Sequence, residues 1–145
     1  MKTLLVLLPV FLLACNGSMP VSAPACGYDA FQPSPYDHTL DVVSEPFVVR
    51  EFRGSLLVSE TADGTSPPGI SPRLDLDARL ELHGPNGFAA FVPIADDGKF
   101  EFGRLPSGQY CFKLSAVALR TVIARVVIDS GALPEQRIVM RMRFE

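Results

Sequence analysis

The sequence predicts an all-β protein, a single seven-stranded antiparallel β-sandwich that follows an exported leader and a tether. Three observations carry this. Apolar and polar residues alternate with period two in Leu74–His83, Lys99–Phe102 and Arg137–Phe144, the period of a strand with one buried face. The 13 prolines and 11 glycines fall between apolar runs, where they punctuate strands. No amphipathic helix can be read anywhere in the 145 residues.

The chain opens MKTLLVLLPVFLLAC. Lys2 precedes the apolar run Leu4–Leu13, which is shorter than the roughly 20 residues of a membrane span and has the size of a signal-peptide core. Leu12-Leu13-Ala14-Cys15 at its end resembles the lipobox of bacterial lipoproteins. The resemblance implies a signal peptide over residues 1–14, cutting before Cys15, and a lipid on that cysteine. The alternative is plain secretion with cutting after Ala25, in the small-x-small site Ala23-Pro24-Ala25. Asn16 is not the Asp tied to inner-membrane retention in enteric bacteria, so an outer-membrane address follows from the same resemblance.

Residues 15–46, rich in Pro, Ser and Ala, read as a tether. Its second part carries Tyr28, Phe31 and Tyr36, aromatics that suit docking on the domain. Once Cys15 is assigned to lipid, Cys26 and Cys111 remain, and in an oxidising compartment they read as a disulfide. Two unpaired thiols are the alternative. Cys111 lies between Tyr110 and Phe112 and so faces away from the core. A bridge would lay the N-terminal segment across the outer face or edge of that sheet.

The sandwich is expected over residues 47–145. Phe47–Ser59 is its first strand, with Gly54 marking a bulge or a close backbone approach. Residues 60–73 form a long Pro/Gly-rich loop. Leu74–His83 buries one face and wets the other. Gly84-Pro85-Asn86-Gly87 turns the chain. Phe88–Ala95 is apolar on both faces, which places it centrally or under a cover. Asp97-Gly98 is a tight turn into a strand carrying Phe100 and Phe102. Pro106-Ser107-Gly108 turns again into a strand with Tyr110, Phe112 and Leu114 on one face and Gln109, Cys111 and Lys113 on the other. Arg120–Ile128 and Arg137–Phe144 complete the set.

Gly54, the turn after Leu82, Asp97-Gly98-Lys99-Phe100-Glu101-Phe102, and Leu105-Pro106-Ser107-Gly108-Gln109-Tyr110 follow one another in an order that resembles the carboxypeptidase regulatory-like domain. That family belongs to the transthyretin-like, or prealbumin-like, group. The likeness runs from about Phe52 to Met142. It implies a transthyretin-like sandwich without an active site of its own, which in bacterial surface proteins is a spacer or interaction module.

The chain has 13 basic and 16 acidic residues, for a net charge of −3, which argues against a nucleic-acid partner. His38 and His83 are the only histidines, too few for a clustered zinc site, and both read as surface residues. Asp75, Asp77, Asp96 and Asp97 form no contiguous calcium loop and read as a solvated sheet face, with a weak Ca²⁺ site as the alternative. No G-x-S-x-G elbow occurs. The C-terminus lacks the Y-R-G-S of hydroxyisourate hydrolase, a cousin of the same fold. Arg137, Arg141 and Arg143 read as charge protecting an edge strand, with contact to an anionic lipid or saccharide as the alternative. The expectation is a non-catalytic envelope lipoprotein without cofactor or metal, anchored to the membrane through Cys15, with an envelope protein or a polysaccharide as possible partner. The alternatives are a carbohydrate-binding sandwich and a small periplasmic hydrolase.

Overall fold

The computed structural model describes residues 23–59 and 77–144. Among the described residues eight strands build two mixed sheets: β1 (Leu40–Val49), β2 (Arg53–Ser59), β3 (Arg79–His83), β4 (Ala89–Val92), β5 (Lys99–Glu101), β6 (Gly108–Ser115), β7 (Thr121–Ile128) and β8 (Ile138–Arg143). The larger sheet has the order β1-β7-β6-β3-β4 and the smaller β5-β2-β8. The all-β expectation holds, but seven antiparallel strands do not. β1 runs parallel to β7, and β2 parallel to β8.

The extra strand arises where one had been expected over Phe47–Ser59. The chain breaks at Arg50–Phe52, between β1 and β2, and passes from one sheet to the other. Phe52 is the pivot. It is fully buried, with ring centroids 5.5 Å from Phe100 of the small sheet and 5.7 Å from Phe112 of the large one. One buried ring therefore packs on both layers at the corner, a favourable aromatic geometry. β1 also starts inside the stretch expected to be tether. Its pairing with β7 shifts register between Val43 and Phe47, and Pro46 falls within that irregularity, where an edge strand tolerates it.

Other boundaries move for local reasons. Leu74–Leu76 and the 60–73 loop lie outside the described residues. β3 starts only at Arg79, after Asp77, whose φ of 44° interrupts an extended chain. β4 is an edge strand, not a central one, and Phe91 on it is 59% exposed. β8 is the expected edge.

The core lies between the sheets. Leu80, Leu82, Phe112 and Leu114 of the large sheet meet Leu56, Ile138, Met140 and Met142 of the small one. On one flank Asp41 of β1 reaches Arg120 at 3.3 Å and Arg143 at 3.4 Å. The recurring turn motifs have physical reasons. Gly98 adopts φ 82°, and the Asp97 carboxylate accepts from the Lys99 amide at 3.1 Å. The Lys99 side chain also bonds Asp97 and holds its carboxyl below the usual range. The Tyr110 hydroxyl donates to the Pro106 carbonyl at 2.9 Å, while Leu105 and Phe102 pack on the core edge. Gly108 lets Pro85 approach, since a Cβ there would lie 3.3 Å from the proline ring.

Gly54 is a close-approach glycine. A Cβ there would overlap the Ile138 carbonyl oxygen of β8 and sit 2.7 Å from the Phe100 ring. Gly54→Ala must push the central strand of the small sheet off its neighbour. It should cost about 3 kcal/mol, read as a fall in the urea midpoint at unchanged m-value.

Candidate functional site

The N-terminal segment from Ala23 to Thr39 lies as a strap across the outer face of the large sheet. Three attachments join it to β6 and β7. Cys26 is disulfide-bonded to Cys111 of β6, with Cα atoms 5.4 Å apart. Phe31, only 6% exposed, joins Cys111 and Ile123 in a second apolar cluster, separate from the core. The third attachment is a buried ion pair between Lys113 of β6 and Asp37 of the strap, 2.8 Å apart, with side chains 3% and 1% exposed. Both the bridge and the outward aim of Cys111 match the sequence reading.

The ion pair is well supplied with partners. Asp37 Oδ2 accepts from the Ser34 amide at 2.7 Å and the Tyr28 hydroxyl at 3.3 Å, and Oδ1 accepts from the Thr121 hydroxyl at 2.9 Å. Lys113 Nζ also donates to the Gln32 carbonyl and lies 5.5 Å from the centroid of the Tyr28 ring. Burial alone would raise the Asp37 pKa. The hydrogen bonds from Lys113, Ser34 and Thr121 outweigh it and leave the carboxyl below its ordinary 3.8.

The strap also alters the face beneath it. Glu81 and His83 alternate onto the side of β3 expected to be wet, yet Glu81 is 6% exposed. Glu81 Oε1 lies 2.7 Å from His83 Nε2 and 3.5 Å from the Gln32 amide, and the His83 ring packs on Phe31 with centroids 4.5 Å apart. His83 is thus half-buried, not freely exposed, while His38 is exposed on the strap. His83 lines a groove of about 360 Å³ with Ala23, Pro24 and Asn86; His38 is not among its lining residues. Among the described residues no three His, Cys, Asp or Glu side chains are grouped to hold a metal ion. Asp77 bonds the Tyr36 hydroxyl at 2.9 Å and Arg79 at 3.7 Å. Asp75 and Cys15 lie outside the described residues.

A second feature sits at one end of the sandwich, where β1 ends, β2 begins, β6 begins and β7 ends. A cleft of about 430 Å³ is lined there by Arg50, Arg53, Arg104, Glu51, Ser107 and Ser130. Arg53 also borders a neighbouring cleft of about 480 Å³ that includes Lys99, Glu101 and Arg137. Arg53 Nη2 donates to the Pro134 carbonyl. Its Nε is buried, 3.5 Å from Glu51 Oε2, and makes no hydrogen bond. Among the described residues Arg50 and Arg104 form no ion pair. Sequence reasoning missed this gathering because Arg50 and Arg53 fell inside one expected strand, while Arg104 comes from the distant β5–β6 connection. It missed Asp37 because the strap has no periodicity. Lys113 was placed on the correct face, but nothing in the sequence marked it as buried.

The chain matches no protein-family model and no curated protein sequence.

Proposed function

We propose that this protein is a non-catalytic envelope lipoprotein, anchored through lipid on Cys15, whose transthyretin-like sandwich serves as a structural or protein-binding module. The observation that carries this reading is the strap. The chain that would lead to the anchor is joined by a disulfide and a buried ion pair to β6, the middle strand of the five-stranded sheet. A pull on the anchor would therefore enter the sheet at its centre, not peel edge strand β1 from it. A disulfide at this point also suits an exported protein. The outer-membrane address rests on Asn16 and the lipobox resemblance.

Mass spectrometry of the mature N-terminus, with fractionation of the expressing bacterium, tests the reading. The expected result is a diacyl- or triacyl-glyceryl Cys15 in the membrane fraction, with Cys15→Ser moving the protein to the soluble fraction. A free N-terminus at Cys26 would overturn it.

A further inference from the structure

The geometry points to the arginine cleft as a docking site for the phosphate headgroups of an anionic lipid bilayer, used by the domain to sit on the membrane that holds its anchor. This rests on the lipid-anchor reading above and adds an orientation to it.

Strand registers define which end of the sandwich is meant. Val49 of β1 stands beside Ile128 of β7, Ile128 opposite Gly108 of β6, and Cys111 of β6 opposite His83 of β3. The end of β1, the start of β6, the end of β7 and the β3–β4 turn therefore share one end. Gly54 of β2 stands beside Ile138 of β8, so the small sheet begins there as well. The arginine cleft opens at this end between the β1–β2, β5–β6 and β7–β8 connections. The strap enters the fold at the same end, with Ala23 and Pro24 lying in the groove beside Asn86 and Gly87.

Covalent reach then constrains the approach. Ala23 is eight peptide steps from Cys15, which span at most about 30 Å. A lipid on Cys15 keeps the strap-entry end near the bilayer, and with it the cleft. The chain as a whole carries −3, so an anionic surface repels it in most orientations. The cleft lining holds Arg50, Arg53 and Arg104 against one carboxylate, Glu51. The adjoining cleft adds Lys99 and Arg137 with Glu101, and Asp129 and Glu135 lie outside the lining in the β7–β8 connection. Guanidinium groups bind phosphate oxygens through paired N–H donors. Arg53 is held by Glu51 and the Pro134 carbonyl, so Arg50 and Arg104, which form no ion pair among the described residues, are the groups left to meet a phosphate. Near an anionic bilayer each such arginine contributes to binding only within about a Debye length; the tether allows that approach, and the arginines hold it.

The test uses the mature chain from residue 15 carrying Cys15→Ser, so that neither the apolar leader nor lipid plays a part and the anchor reading is tested separately. Co-sedimentation should show binding to vesicles of phosphatidylcholine mixed with phosphatidylglycerol. Vesicles of phosphatidylcholine alone should bind little, and the difference should fall as salt rises. Arg104→Ala should weaken binding about fivefold and Arg50→Ala with Arg104→Ala about 30-fold. Arg125→Ala, which removes one charge from an exposed side chain of β7 away from the cleft, should leave it unchanged. Equal binding to both vesicle types overturns the proposal, as does an Arg125→Ala loss matching that of Arg104→Ala. Titration with inorganic phosphate gives the remaining arm. Saturable phosphate binding without vesicle binding would make the cleft a soluble-anion site and also overturn it.

Discussion

Replacing Cys26 and Cys111 together by alanine should destabilise the protein by about 4–5 kcal/mol, the largest loss expected from any single feature of the fold. The bridge joins residues 85 apart. In the chain-entropy account, closing a loop of that length limits the unfolded state by this amount at room temperature. A domain of this size has a total stability of about 5–15 kcal/mol, so the loss is a large fraction of it. Alanine is the better replacement, since Cys111 is fully buried against Phe31 and Ile123 and serine would place a hydroxyl there without an assured partner. The measurement is the urea midpoint of the oxidised protein against the double variant, with Tm falling by roughly 15–20 °C. If the two differ by less than about 1 kcal/mol, the strap is held by packing and ion pairing alone. The account of the anchor's pull entering through β6 would then lose its covalent link.

What could be read in the sequence divides along a physical line. β-branched content and period-two alternation are local, so β7, read from the first, and β8, read from the second, emerge close to their observed limits, and the parity of Cys111 predicted where the strap lies. Gly54, Asp97-Gly98 and Tyr110 were legible because each answers a short-range demand of a turn or a close backbone contact. Pairing direction was not legible. Whether β1 joins β7 in parallel depends on the route the chain takes between sheets, and that route turns on Phe52, an apolar residue whose parity fitted a continuous strand. Burial on the outer face was hidden for a related reason. Lys113, Glu81 and His83 carry the polar character of a wet face, and only a segment distant in sequence makes them interior. The arginine cleft is the extreme case, because its members meet only through the turns that bring three connections to one end.

Lys113 offers the sharpest test of that buried polar layer. Lys113→Met keeps most of the side-chain volume but removes the ammonium, leaving the Asp37 carboxylate buried without its countercharge. Breaking one partner of a buried pair costs about 3–5 kcal/mol. The lower part of that range is expected, since Ser34, Tyr28 and Thr121 still donate to Asp37. Adding Asp37→Leu should recover much of the loss, because the stranded charge goes with it. The pH dependence carries the diagnosis. Asp37 has a folded pKa depressed below 3.8. The stability it contributes is therefore present above its unfolded pKa, at about pH 4, and is lost as pH falls through the folded value. In Lys113→Met the ammonium's hydrogen bond and charge are gone while burial remains, so the carboxyl titrates higher and protonates sooner. Protonation removes the uncompensated charge, and the gap in urea midpoint between wild type and variant should narrow from neutral pH toward about pH 3. A gap that stays constant over that range would mean that the loss came from packing of the lysine stem, and that the strap is held without the ion pair.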